Sequence, residues 1–559
     1  MKKNLILFVI SLLLVLPSLA PAQAAAAKPK SNARKAAEQI TAAQLKDYLY
    51  YVASDEMEGR DTPSRGLDLT AKFLAMQLSR WGFKPAGDNG TFFQHIELSR
   101  YSVNPAATSV ELGGRTLAYG TDVMAGPSTS SVSSAQLVFA GNGWFIKTKN
   151  IDPLKDIDAT GKIVVVYANT FPRGITSFQQ FAALGKQGED WMNPVNYARK
   201  KGAAGVIYIN TPEMQKNWDS LRTSRERGGL YPEKMRAGTD TFPVLYLSQK
   251  AAEGLFEGES TSLARIAESY GDVNASMPAF SFSAGKTASV KINTSKEALP
   301  TQNVVALFEG GDPALKNEMV AIGAHYDHVG ISTNPNAVDK IRNGADDDGS
   351  GTVAVLAMAE ALAKSAKRPK RSILLVWHCG EEKGLWGSEY YNKFPTVDVK
   401  NVTAQLNIDM IGRSLDPNNI IKCDPKNPKP CNEELSGPNG VYVIGSEMMS
   451  STLGSIVKGI NSAYLNIGYD YKYDDPKDPN RFFFRSDHFN YAVNGIPITF
   501  WFDGVHEDYH QPGDSPDKID YVKMEKITRT IFLTMWEVAD LKERPKVDKQ
   551  LPPELTQQN

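Results

Sequence analysis

The chain has 559 residues, only three cysteines and a formal net charge of −1. So few cysteines exclude a framework of several disulfides as the main source of stability. Cys423 and Cys431 flank a short Pro/Lys-rich loop and could close one small bridge, whereas Cys379 lies in an apolar run and is predicted to be a buried thiol. The near-zero net charge argues against a general binder of nucleic acids or membrane surfaces.

Long apolar runs are also missing, with one exception at the amino terminus. Lys2 and Lys3 precede an apolar run at residues 5–16, and the small residues of a cleavage site follow at 22–24. This is the pattern of a secretory signal peptide, and the run is too short to span a bilayer comfortably. We expect residues 1–24 to be removed, with no stable membrane insertion afterwards, and the protein to be periplasmic or secreted. An uncleaved anchor is the alternative.

The remaining composition, 42% hydrophobic and 22% charged residues, is that of a globular protein, and the length predicts two domains. Helical periodicity marks the segment after residue 36. From residue 301 strand and helix patterns alternate, which predicts an α/β fold with a mostly parallel mixed sheet flanked by helices. Between them, short β-like runs such as KIVVVYAN and GVIYIN indicate an inserted, mainly β domain.

These patterns divide the chain into five predicted parts. They are a signal peptide (1–24), a flexible leader (25–37), a discontinuous α/β domain (38–108 and 291–545), an inserted mainly β domain (109–290) and a disordered tail (546–559).

Acids and histidines recur in the α/β half, most of them where an apolar strand ends. Ligand sites in open parallel sheets collect at the carboxyl ends of the strands, which makes this placement informative. The five places are His325–Asp327, Asp346–Asp348, Glu381–Glu382, Asp409 and His510.

Three of these places contain neighbouring polar residues with separable roles. Positions i and i+2 of a strand point the same way, so His325 can ligate a metal while Asp327 orients its imidazole. The carboxylates of Asp346–Asp348 repel one another unless a cation lies nearby. Of the Glu381–Glu382 pair, one can bind a metal while the other takes a proton from water. The simpler alternatives are a polar strand end, a helix N-cap and an exposed helical turn.

The other two places supply single ligands. Asp409 lies in an apolar strand, where an acid is costly unless it is paired in a buried salt bridge or bound to a metal. His510 lies in a loop and is a better ligand candidate than His506, and we interpret His328 as structural. Two histidines, at least three carboxylates and no thiolate suit two Zn²⁺ ions bridged by one carboxylate.

Taken together, these motifs resemble those of the M28 family of zinc peptidases. In chain order they are HxD, GADDDGSG, GEEKGLWGS, NID and DYH, which begin at His325, Gly344, Gly380, Asn407 and Asp508. The resemblance covers about residues 301–541, and residues 48–87 look like that family's N-terminal helices. The block 109–290 resembles the protease-associated (PA) domain that exported members often carry there, most clearly in KKGAAGVIYIN.

The resemblance implies a role for each residue. His325 and Asp409 would hold one zinc ion, Glu382 and His510 the other, and Asp347 would bridge them, with Asp346 or Asp348 as alternative bridges. Glu381 would be the general base, and Asp327 would orient His325.

The expected function is therefore that of a metallo-aminopeptidase acting on peptides. A carboxypeptidase of the same fold is the first alternative, and it would need a cationic pocket for which Arg413, Arg481 and Arg485 are the candidates. A glutaminyl cyclase and an inactive peptide-binding protein are the others.

Overall fold

The computed structural model describes residues 29–168, 175, 179–182, 184–236, 240–271, 279–424 and 431–551. The chain divides into two compact units, the first comprising Met1–His95 and Thr301–Asn559 and the second Ile96–Pro300. The predicted boundaries at residues 108 and 291 fall inside the second unit. The observed boundaries lie inside two long strands, Phe93–Val103 and Thr294–Phe308. A boundary inside a strand has no Gly- or Pro-rich loop sequence by which it could be predicted.

The first unit is built on a mixed sheet whose central strands are parallel, as the alternating pattern predicted. From Ser372–His378 to Ile498–Phe502 neighbouring strands run parallel, and antiparallel strands flank them on both sides. In spatial order the strands are Phe93–Val103, Thr294–Phe308, Ser372–His378, Met319–His325, Val402–Ile408, Ile498–Phe502, Gly440–Ile444 and Gly468–Asp470, and Lys84–Pro85 pairs with Thr294–Phe308. The four central strands are buried along their whole length, as expected of parallel strands covered on both faces.

Helices cover this sheet. The α-helices are Ser31–Ala37, Ala42–Val52, Arg65–Arg80, Gly351–Lys364, Trp386–Lys393, Ser446–Met449, Ser451–Ala463, His488–Ala492 and Tyr521–Asp540. Short helical turns of other types are Asp55–Arg60, Asp88–Gly90, Ala345–Ser350, Val399–Asn401, Phe482–Phe484 and Pro516–Lys518. The Gly351–Lys364 helix is buried almost all round, which explains its alanine-rich, nearly uncharged sequence.

The second unit is also an α/β unit and not the mainly β one that the sequence suggested. Its main sheet runs Arg115–Leu117, Ser109–Leu112, Thr287–Ile292, Ser130–Ala140, Ile163–Tyr167, Gly205–Ile209, Val244–Leu247 and Val123–Ala125, with parallel pairing from Ser130–Ala140 to Val244–Leu247. The remaining strands are Phe145–Ile146, Trp191–Met192, Gly229–Pro232 and Ala279–Ser281. Its α-helices are Gln179–Ala182, Pro194–Lys200, Pro212–Lys216, Trp218–Arg227, Gln249–Phe256 and Leu263–Gly271, with short turns at Pro105–Ala107, Lys147–Lys149 and Glu233–Met235. The resemblance to a PA domain stays a prediction.

Three expectations about the ends of the chain and its cysteines can be compared with the structure. The predicted leader is wrong over Ser31–Ala37, which form a helix with three buried alanines. The predicted tail is wrong up to residue 551, because Val547 and Leu551 pack on the core. Cys423 and Cys431 form a disulfide, and Cys379 is a buried thiol as expected.

Neither the predicted signal peptide nor residues 552–559 are among the described residues. Within the described part, no helix combines the length and the apolar character that a membrane span needs.

One buried arginine joins the N-terminal segment to the end of the sheet. The Arg60 side chain is fully buried and donates hydrogen bonds of 2.7–2.9 Å to the carbonyl oxygens of Val52, Tyr326, Asn343 and Gly344. Burial lowers the pKa of Arg60 to about 10, which leaves the guanidinium charged at neutral pH. Three separate chain segments are thus held by one side chain.

We expect Arg60→Met to lower the free energy of unfolding by about 3–5 kcal/mol, because four buried carbonyl groups lose their donor and nearby carboxylates lose a cation. Urea denaturation followed by circular dichroism measures this change. Arg80→Met, at the exposed end of the Arg65–Arg80 helix, is the matched control and should change the value by less than about 0.5 kcal/mol. An Arg60→Met protein as stable as the parent would contradict the role of this side chain.

Candidate metal centre

The structure brings the five sequence places together at the carboxyl edge of the central parallel strands. His325 ends one strand, Asp409 directly follows the end of another, and Glu381–Glu382 come three residues after a third. His510 lies in the loop after Ile498–Phe502, and Asp347 lies just before the Gly351–Lys364 helix. Parallel strands end at the same edge of a sheet, and this gathers residues far apart in sequence.

The first group of candidate ligands consists of His325, Asp347 and Asp409, all buried. The Nε2 atom of His325 lies 3.3 Å from Oδ1 of Asp347 and 3.6 Å from Oδ1 of Asp409. One imidazole nitrogen and two carboxylate oxygens directed at one point are a donor set that suits Zn²⁺.

A second group lies on the other side of Asp347. The Nε2 atom of His510 is 3.1 Å from Oδ2 of Asp347 and 3.0 Å from Oε2 of Glu382. Asp347 therefore presents one carboxylate oxygen to each group. This is the arrangement required of a bridging ligand.

The structure corrects the interpretation of His328. Its Nδ1 atom lies 2.9 Å from Oε1 of Glu382 and 3.6 Å from Oδ2 of Asp347, so it belongs to the second group of candidate ligands. The imidazole is fully buried. Its position three residues after His325, just past a strand end, was the signal in the sequence, but a single histidine at such a place is more often structural.

The residues present fit a metal. Five buried atoms face into the two groups and have no hydrogen-bonding partner of ordinary geometry among the described residues. They are Nε2 of His325, Nδ1 of His328, Oδ2 of Asp347, Oε1 of Glu382 and Nε2 of His510. Buried polar atoms are normally satisfied, so an unsatisfied cluster of nitrogen and carboxylate ligands is best explained by bound cations.

The outer two aspartates of the triplet are held by the backbone, which leaves only the middle one for the site. Asp346 accepts a 2.7 Å hydrogen bond from the Gly412 N–H, and Asp348 accepts bonds from the N–H groups of His325, Gly351 and Met410. The choice of Asp347 over its neighbours as the bridge is therefore supported by the geometry of the loop.

Asp514, which the sequence analysis did not single out, holds this loop in place. Its buried carboxylate accepts hydrogen bonds from the backbone N–H groups of Asp346 and Asp347. The imidazole of His506 also contacts this loop, with its Nε2 atom 3.4 Å from Oδ2 of Asp346. An isolated acid in a Gly/Ser/Pro-rich stretch carries no sequence signal for such a role.

Asp327 has a different set of contacts from the one predicted. The Nδ1 atom of His325 is 3.1 Å from the Asp327 main-chain oxygen and 3.7 Å from its carboxylate, so the main chain is the closer orienting group. The carboxylate instead accepts hydrogen bonds from the Thr62 hydroxyl and the Glu381 N–H, and Thr62 also accepts a bond from the Gly380 N–H. Asp327 and Thr62 thus fix the loop that carries Glu381.

Burial and neighbouring charges shift the pKa values of the site residues. Burial raises the pKa of Glu381, and the carboxylates of Asp409 and Glu382 raise it further. Burial alone would lower the pKa of His510, but Asp347 and Glu382 raise it to about 10. Because a ligating imidazole must be neutral, metal binding at these side chains is expected to release protons.

A pocket adjoins the first group of ligands. Asp347, Glu381 and Asp409 form its polar side, and its other lining residues are Met410, Phe482, Arg485, Phe500, Phe502, Val505 and Tyr509. A pocket with an apolar wall opposite convergent polar groups is typical of a site for a small ligand or side chain.

The remaining histidines lie outside both ligand groups. His378 is buried 3.4 Å from Asp487 and contacts the Tyr491 hydroxyl. His488 contacts the Phe483 carbonyl oxygen through Nε2, and His95 is exposed near Asp88.

An α/β sheet that carries paired carboxylate and histidine groups at its carboxyl edge has the features of a metal-dependent hydrolase. Comparison with known families agrees, since residues 303–535 match the model of Peptidase family M28. Over this stretch the chain is therefore similar to the M28 peptidases. The stretch includes every predicted metal ligand and the predicted base.

Individual relatives match over shorter stretches. The chain is 35% identical over 130 residues to Leupeptin-inactivating enzyme 1 of Streptomyces exfoliatus, which covers 23% of this chain and 26% of that protein. It is 30% identical over 215 residues to a probable leucine aminopeptidase 2 of Aspergillus oryzae, which covers 38% and 36% of the two chains. The chain thus spans about a quarter to a third of the length of these relatives.

Among solved structures, an aminopeptidase from Aneurinibacillus sp. strain AM-1 aligns with a TM-score of 0.49 at 17% identity, over 93% of this chain and 98% of that one.

We expect Asp347→Asn to abolish stoichiometric metal binding, because it removes a charge and a ligand from both groups at once. Elemental analysis after dialysis against zinc should find close to two ions per chain in the parent and fewer than one in the variant. Asp47→Asn, on the exposed face of the Ala42–Val52 helix, is the control and should match the parent. Full zinc content in Asp347→Asn would exclude the bridging role.

Proposed function

We propose that the chain is an exported, zinc-dependent aminopeptidase that removes residues from the N-termini of peptides. The observation that carries this proposal is the pair of ligand groups sharing Asp347, with Glu381 beside them on the wall of an apolar pocket.

The metal ions would supply Lewis-acid polarisation of the scissile carbonyl and a lowered pKa for the attacking water. The chain's own residues do the rest. The Glu381 carboxylate accepts a proton from the water as its oxygen attacks the carbonyl carbon, and delivers that proton to the leaving amine nitrogen. Asp327 and Thr62 position Glu381 by fixing its loop.

The walls of the pocket support a preference for an apolar N-terminal residue. Phe482, Phe500 and Phe502 contribute aromatic surface beside the ligands, and Met410 adds a flexible apolar side chain. Two of the relatives are named as probable leucine aminopeptidases, which is consistent with such a preference.

A carboxypeptidase is the second candidate because one arginine lines the pocket. Arg413 is paired with Asp508 at 2.9 Å, and neither Arg413 nor Arg481 is among the residues that line the pocket, which makes both poor candidates for a substrate carboxylate. Arg485 is exposed at the pocket wall, with its guanidinium over the Phe482 ring. It is the candidate cation for a substrate carboxylate.

Export is part of the same proposal and is supported by the amino-terminal sequence pattern. We expect the mature protein to begin just after residue 24 and to be recovered outside the cytoplasm, which cell fractionation followed by N-terminal sequencing measures.

The function is tested by digesting one peptide in three forms: with free ends, with a blocked N-terminus and with a blocked C-terminus. We expect stepwise loss of N-terminal residues, abolished by the N-terminal block and by chelator, with mass spectrometry as the readout. Glu381→Gln should retain zinc and lower kcat by at least about 100-fold, because it removes the proton acceptor.

The control is Glu389→Gln, on a partly exposed glutamate that pairs with Lys393, and it should keep the parent rate. Loss of residues from the other end of the peptide would assign the chain to the carboxypeptidases. Absence of cleavage in all three forms with zinc bound would overturn the peptidase proposal in favour of a glutaminyl cyclase or a binding protein.

A further inference from the structure

The second unit contains a cavity of about 370 Å³ next to its parallel sheet. Its apolar wall includes Tyr208 and Tyr246, which are neighbours in register on two parallel strands and stack with ring centroids 5.4 Å apart. Phe242 and Val195 extend this wall. The volume lies in the range of small-ligand sites, and the two tyrosine rings, stacked on each other, give the cavity an aromatic wall.

Two guanidinium groups line the cavity and form no ion pair among the described residues, although the charge of Arg236 lies near enough to Asp240 to lower the pKa of that carboxyl. Arg225 lies over the Tyr246 ring, 4.4 Å from its centroid, and Arg236 lies over the Tyr101 ring at 3.8 Å. The Nη1 atom of Arg236 is buried and has no hydrogen-bonding partner in the described part of the chain. Leaving such a donor unsatisfied is costly, which points to a bound acceptor.

The other polar groups of the cavity also favour an anion. The one carboxylate among the lining residues is Asp240, and Arg199 already binds both of its oxygens at 2.6 and 2.7 Å. Ser128 is only 6% exposed, and its hydroxyl oxygen is buried without a partner among the described residues. The cavity therefore combines excess positive charge, unsatisfied hydrogen-bond donors and an aromatic wall.

We propose that this cavity binds an aromatic carboxylate, with the ring against Tyr208 and Tyr246 and the carboxylate between Arg225, Arg236 and the Ser128 hydroxyl. Guanidinium groups match carboxylates through paired hydrogen bonds, and aromatic surfaces stack on flat rings. The same chemistry is present in the last residue of a peptide that ends in an aromatic amino acid and in a free aromatic acid. The proposal does not rest on the peptidase activity.

Isothermal titration calorimetry on the full-length protein tests this site with four probes: N-acetyl-glycyl-phenylalanine, its C-terminal amide, N-acetyl-glycyl-alanine and 3-phenylpropionate. The first should bind with a Kd on the order of 0.1–1 mM, as expected for a ligand of this size. The amide and the alanine peptide should bind at least about 5-fold more weakly, because they lack the charge or the ring. Phenylpropionate distinguishes the two sources of this chemistry. An affinity equal to that of the phenylalanine peptide indicates a free aromatic acid as the ligand, and a weaker affinity indicates a peptide end.

Arg225→Gln and Arg236→Gln should each weaken binding of the phenylalanine peptide by at least about 5-fold. Arg227→Gln is the matched control, since Arg227 is an exposed arginine on the same helix as Arg225, and should leave the affinity within about 2-fold. If the affinity for the phenylalanine peptide is unchanged in both cavity variants, the peptide binds elsewhere, for example at the metal centre, and the proposal is overturned. So would equal affinity for the acid and its amide, a comparison on the parent protein that does not depend on a variant folding.

Discussion

A single guanidinium, that of Arg60, connects the chain segments on which the metal-site residues are mounted. The carbonyl of Tyr326 that it binds lies between His325 and Asp327, and those of Asn343 and Gly344 directly precede the aspartate triplet. Its charge also lies near the carboxylates of Asp327, Asp347, Asp348 and Asp514. A buried cation offsets part of the repulsion among these acids, so the N-terminal segment is a structural part of the site and not an appendage to the sheet.

The concentration of buried acids at this edge imposes a second constraint. A carboxylate away from water needs donors or a cation, and the fold provides both in a definite order. Backbone N–H groups hold Asp346 and Asp348, and Asp514 in turn holds the loop. Of the three, Asp347 is the one that faces His325, His328 and His510. The geometry of the loop thus determines which of the three adjacent aspartates can act as the bridging ligand.

The second unit is stabilised by apolar clusters on its sheet. Both faces of its sheet carry apolar clusters. One is covered by helices Gln249–Phe256 and Leu263–Gly271, which contribute buried residues to it. On the other, helix Pro194–Lys200 packs beside the cavity that contains the stacked pair Tyr208 and Tyr246. Apolar surface lies there next to Arg225 and Arg236, which form no ion pair among the described residues. The sequence of this block contains no cluster of acids or histidines that would have drawn attention to it.

The order of strands and helices in the α/β half could be predicted from the amino-acid pattern, because a buried parallel sheet requires short apolar strands and amphipathic helices, whose periodicities differ. The sequence also indicated the metal chemistry, since histidines and acids at strand ends are costly without a cation, and the family resemblance supplied roles for Asp347 and Glu381. Three features became visible only in the folded chain: His328 joins Glu382, Asp514 and Thr62 support the site, and the inserted block is an α/β unit. These features depend on contacts between residues far apart in the chain, and no local pattern of spacing or hydrophobicity encodes such contacts.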